Sequence, residues 1–102
     1  MQVKIFDSSL EKFIEGLEKA TIAKVLRSID LLERFGCDLQ LPHSKKVKNN
    51  LFELRIRGQQ EVRIFYTLRQ QQAILLHGFI KKSQKIPKRE IDLALQKMAG
   101  LD

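Results

Sequence analysis

Residues 52–66 read FELRIRGQQEVRIFY, and how this stretch pairs with itself decides the fold. Phe52, Leu54 and Ile56 take every second place, with Glu53, Arg55 and Arg57 between them. After Gly58 the alternation resumes as Val62, Ile64 and Tyr66, with Arg63 and Phe65 between. A period of two sends successive side chains to opposite faces of a strand. A three-residue loop at Gly58-Gln59-Gln60 pairs Arg57 with Glu61 and Arg55 with Arg63. Glu53, Arg55, Arg57, Arg63 and Phe65 then share one face, and the mainly aliphatic set shares the other. Like charges directly opposite each other weaken a sheet, so Arg55 against Arg63 carries a cost that an anionic ligand would offset. A two-residue loop would break this parity, so the arrangement rests on the turn.

Downstream, residues 73–81 form a third strand, apolar on both faces at its centre, the pattern of a strand covered from both sides. A three-residue turn at Gln70–Gln72 pairs Arg69 with Ala73 and sets His77 opposite Phe65 and Phe79 opposite Arg63. The strand runs into Lys81-Lys82-Ser83-Gln84-Lys85, a basic exit beside the arginines. Upstream, residues 38–50 (DLQLPHSKKVKNN) show no sustained period and read as a loop. Val3, Ile5 and Phe6 suggest a short first strand. Ser8-Ser9-Leu10-Glu11 fits a capping box with Ser8 as the cap, and Leu10, Phe13, Ile14 and Leu17 follow at helical spacing. After a break near Glu18, a second helix carries Ile22, Val25, Leu26, Ile29 and Leu32 and ends at Gly36. Pro87 opens a last helix with Ile91, Ala94, Leu95 and Met98 on one stripe, ended by Gly100. The expected fold class is α+β: an N-terminal strand, two helices, a three-stranded antiparallel meander and a C-terminal helix, with the helices on one face of the sheet.

The chain of 102 residues is expected to form a single domain. Its 43% hydrophobic and 30% charged residues place it with globular rather than disordered chains. Nineteen Lys and Arg against twelve Asp and Glu give +7, which favours a polyanionic partner, most simply nucleic acid. One cysteine, Cys37, builds neither a disulfide nor a thiolate zinc site. No apolar run reaches the length of a membrane span, and the first residues lack a signal-peptide pattern. A cytoplasmic location is the expectation. Two histidines and scattered carboxylates give no metal-ligand spacing, and no phosphate-binding glycine motif or nucleophile elbow is present.

On the basic face, arginine forks suit phosphate, and exposed rings at Phe65 and Phe79 would give unpaired bases a stacking surface. The plainer readings are that the arginines are solvated and that both rings are core under the last helix. Recurrence of the cations on adjacent strands favours a ligand face.

The segments LPHSKKVKNNLFELRIRG, VRIFYTL, LLHGFIKKSQKIP and EIDLA, in that order, resemble the phage-derived HigB-like branch of the RelE/ParE toxin superfamily. The resemblance runs from Lys4 to Met98. It implies a toxin of a type II toxin–antitoxin pair: a ribosome-dependent endoribonuclease that cuts messenger RNA in the A site without a metal or other cofactor. It also implies a small antitoxin partner, typically a helix-turn-helix DNA-binding protein, and no membrane association. In that chemistry the 2′-hydroxyl attacks the adjacent phosphate, leaving a 2′,3′-cyclic phosphate and a 5′-hydroxyl. Carried over by position, Arg55, Arg57, Arg63 and Lys82 are the expected catalytic residues. Lys81, Lys85, Lys45, Lys46, His77, Phe65 and Phe79 are the expected RNA contacts. Arginine stays charged in water, so its part is electrostatic, and proton transfer falls to a lysine or to His77. No tyrosine follows Lys85, unlike the best-known ribosome-dependent cutters, so acid and base stay open. A ParE-like toxin directed at gyrase, or a basic module that blocks translation without cutting, are the alternatives.

Overall fold

In the computed structural model, which describes residues 1–101, the chain runs β1 (Gln2–Ile5), α1 (Ser8–Glu15), α2 (Lys19–Phe35), a short 3-10 turn (Gly36–Asp38), β2 (Ser44–Lys48), β3 (Leu51–Ile56), β4 (Val62–Arg69), β5 (Gln72–Ile80) and α3 (Lys88–Ala99). One five-stranded mixed sheet has the order β1-β5-β4-β3-β2. β1 lies parallel to β5, and the other pairs are antiparallel. The α+β class stands. The three-stranded meander is corrected to four strands in sequence, β2 to β5, with β1 as a fifth at the far edge. No helix among the described residues is long and apolar enough to cross a membrane.

The added strand is β2, where a loop was expected. Its residues SKKVK are mostly exposed, as suits an edge strand guarded by lysines. Ser44 and Lys45 pair with Leu54 and Glu53 before a bulge shifts the register. The buried Ser44 hydroxyl shares a hydrogen bond with the Tyr66 phenol, stitching β2 to β4 across β3. Burial, more than the Ser44 bond that opposes it, pushes the Tyr66 phenol above its usual pKa.

The helices also depart from expectation by occupying both faces. α1 and α2 cover Leu54, Ile56, Val62, Ile64, Tyr66 and Leu75 with Leu10, Ile14, Val25 and Leu32. α3 covers the opposite face, where Ala94 closes over Leu51, Phe65, Leu76 and Phe79. The α1 cap is Asp7 rather than Ser8. Asp7 holds extended backbone at φ −150 and its Oδ1 accepts from the Leu10 N–H at 3.1 Å. Aspartate caps as well as serine does. α1 approaches β5 at Gly78, where a Cβ would stand 2.8 Å from the Phe13 ring, so a side chain there would force that ring to move.

The hairpin between β3 and β4 has the expected register: Arg55 faces Arg63 and Ile56 faces Val62. The next hairpin differs. Its turn has two residues, Gln70 and Gln71, both at positive φ, so that Arg69 pairs with Gln72 rather than Ala73. Leu76 then stands as an extra residue on β5, between the pairs Tyr66–Leu75 and Phe65–His77. The shorter turn and the bulge cancel, and beyond it His77 faces Phe65 and Phe79 faces Arg63 as expected.

Candidate nucleic-acid interface

α3 packs on β5 and β4 and over Leu51 at the start of β3, and leaves the far end of β3, at Arg55, partly exposed. At that open end Arg55, Arg57 and Arg63 meet Lys81 and Lys82 around a cleft of about 330 Å³. Glu61 is the one carboxylate in the lining. Strand alternation aims Arg55 and Arg63 to one side, Arg57 just past the end of β3 is drawn to Glu61, and the Lys81 N–H, bonded to the Glu61 carbonyl at 2.6 Å, brings the basic exit of β5 beside them.

The arginines differ in depth. Arg57 is exposed, with its Nε 3.6 Å from Glu61 Oε1. Arg55 is one-fifth exposed, with its Nε 3.6 Å from the buried Glu53 carboxylate. Arg63 is only 2% exposed and forms the floor. Its Nη1 donates to the Val62 carbonyl at 3.0 Å and its Nη2 to Glu61 Oε1 at 3.3 Å. The buried Nε of Arg55 and of Arg63 find no hydrogen-bond acceptor among the described residues. A buried donor without a partner is costly, so the floor of the cleft is short of acceptors.

Glu61 is the member that sequence reasoning paired with Arg57 but did not place in the site. Burial pushes its carboxyl up. The Gly58 N–H at 3.0 Å, then Arg63 and Arg57, outweigh burial and hold it below the usual glutamate value. The signal was a lone acid between a glycine turn and two arginines.

The remaining expected contacts divide. Lys85 and Lys45 border a second cleft that shares Arg55 and Lys81 with the first. Lys46 borders it too, but its register opposite Phe52 turns it toward the α2 side. Phe65 is wholly buried and Phe79 is 7% exposed, with ring centroids 5.7 Å apart. Both are corrected from stacking surfaces to core: α3 covers them, so neither offers a free ring face. His77 is placed against α3. It is mostly buried, and its Nε2 lies 2.7 Å from Glu90 Oε1. Among the described residues, no group of three or more His, Cys, Asp or Glu is placed to hold a metal ion.

A family profile described as "Phage derived protein Gp49-like (DUF891)" matches residues 12–99. No curated protein matches the chain.

Proposed function

As the chain belongs to the phage-derived Gp49-like family, a family of RelE/toxin-like proteins, we propose that it is the toxin of a toxin–antitoxin pair, of the HigB-like kind, and that it cuts messenger RNA on the ribosome. The carrying observation is the acceptor-poor basic cleft: five cations and one carboxylate line it. Guanidinium forks of this kind grip a phosphodiester.

The cut needs no group beyond the chain and its substrate. The 2′-oxygen bonds to phosphorus, the bond from phosphorus to the 5′-oxygen breaks, and a proton passes from the first oxygen to the second. Arg57 and Arg55 bear on the phosphate oxygens, whose charge grows in the phosphorane. Lys82, exposed on the rim, gives the proton to the departing 5′-oxygen. Glu61 is the acceptor in the lining for the 2′ proton. At rest its arginine partners make it a weak base. A phosphate that draws Arg57 away, and adds its own negative charge, raises the basicity of Glu61 when substrate is in place. Arg63 acts through Glu61, holding the carboxylate from below.

The test is purified protein added to ribosomes programmed with a defined message, with new 5′ ends mapped. Cuts that require ribosomes are expected from the unaltered chain and lost in Lys82→Ala. Glu61→Gln is expected to lose cutting while retaining RNA binding. Arrest of translation with the message intact would overturn the nuclease reading. It would favour a blocker instead, a reading that the enclosed, paired Arg63 also suits. Altered DNA supercoiling with intact translation would indicate a gyrase-directed toxin.

A further inference from the structure

The cleft described above does not end at Arg55. A second cleft of about 430 Å³ adjoins it, sharing Arg55, Lys81 and Gln84 and adding Lys45 from β2 and Lys85 from the exit loop. Lys45 stands opposite Glu53 on the same face as Arg55. Glu53 is buried beneath and already 3.6 Å from Arg55. The exit loop is fixed by the Ser83 hydroxyl, which donates to the Lys85 carbonyl at 2.9 Å. Cations therefore run in a line from Lys82 and Arg57, through Arg55 and Lys81, to Lys45 and Lys85. One step from β3 to β2 is about 5 Å, the scale on which successive phosphates of an extended strand follow one another.

We infer that Lys45 and Lys85, with the shared Arg55 and Lys81, form a second phosphate subsite next to the reacting one, so that the protein engages single-stranded RNA through at least two successive phosphates. This rests on reading the first cleft as an RNA-phosphate site, and it adds a direction and a minimum length to that reading. It also separates two adjacent lysines. Lys45 belongs to the subsite, whereas Lys46, turned to the α2 side, does not.

The probes are fluorescently labelled 2′-O-methyl oligouridylates of two, three and four nucleotides, which cannot be cut. Affinity for the intact protein is expected to rise roughly fivefold or more from the dinucleotide to the trinucleotide, where the second phosphate first appears. The double variant Lys45→Ala/Lys85→Ala is expected to abolish that step, so that dinucleotide and trinucleotide bind it equally. Its salt dependence with the longest probe should be shallower by about 0.7 in log–log slope, the equivalent of one phosphate. Lys46→Ala should retain the step. A step that survives in the double variant, or that Lys46→Ala removes equally, overturns the subsite. Binding with the length step but no cutting on ribosomes supports the subsite and retires the nuclease chemistry. Cutting without a length step does the reverse, and no binding at any length overturns the subsite.

Discussion

The α3 face of the sheet has two ends built from the same strands, and they have opposite fates. At one end Phe65, Leu76 and Phe79 lie sealed under Ala94, and His77 is locked to Glu90 of the same helix. At the other, Arg57 stands open to solvent and Arg55 is one-fifth exposed, with Arg63 beneath them. Phe65 and Arg63 are neighbours by alternation on one strand, two residues apart on one side. What separates core from cleft is the placement of α3, which starts at Lys88, packs along β5 and β4 and over Leu51, and contributes no residue to the cleft at Arg55. A covered position is set by packing and an uncovered one by charge, so substitutions at the two ends should report in different assays.

The largest effect should come from the covered end. Phe65→Ala leaves a cavity beneath α3 and should cost about 3–5 kcal/mol in denaturant unfolding. A loss below about 1 kcal/mol would mean that α3 is not a true lid and would erase the contrast. Gly78→Ala probes the helical face on the other side. Its new methyl meets the Phe13 ring, and a cost of about 1–3 kcal/mol is expected from the same measurement.

Lys97→Met cuts the tether between α3 and the start of α1. Lys97 Nζ lies 3.0 Å from Asp7 Oδ2 and donates to the Leu76 carbonyl at 3.1 Å. About 1 kcal/mol should be lost at neutral pH. Burial pushes the Asp7 carboxyl up, but the Lys97 hydrogen bond, the Leu10 N–H and nearby positive charge hold it below its ordinary 3.8. The folded state thus favours the carboxylate. Its contribution is complete above that value and is lost as pH falls through the lower folded one. The gap between the unaltered protein and Lys97→Met should therefore shrink below about pH 3.8. A gap constant through that range would place the effect in packing of the lysine stem instead.

The smallest change in stability is expected at Arg57→Ala in the open end, within about 0.5 kcal/mol of the unaltered protein, while RNA affinity and its salt dependence fall. A variant that unfolds readily would show that the uncovered end is held together by the Arg57–Glu61 pair, and the two ends would no longer differ in kind.

How much of this the sequence carried follows from the same contrast. Alternation from Phe52 to Tyr66 tells which residues share a face, and Arg55 and Arg63, opposite each other, do share one. Alternation carries no information about depth, however. It sets Phe65 and Arg57 on the same side without telling that one is core and the other exposed. The hint was present in β5, whose apolar residues on both faces require cover from both sides, against the expectation that all helices lie together. β2 was hidden because an edge strand rich in lysine lacks the alternating apolar signal, and its anchor, Ser44 to Tyr66, spans 22 residues. Glu61 was hidden because its role depends on a turn folding the Gly58 N–H back onto it.

Leu76 is the one residue of β5 that the ladder passes over: on either side of it, Leu75 pairs with Tyr66 and His77 with Phe65, which are consecutive on β4. Deleting it would join Leu75 to His77, close the strand into regular alternation and leave Lys81 beside Glu61. What would be lost is the apolar side chain that Leu76 adds beneath α3, together with the carbonyl that Lys97 reaches. The extra residue works like a shim in a frame: it thickens the packing on one side without moving the posts, so the basic end keeps its place with or without it.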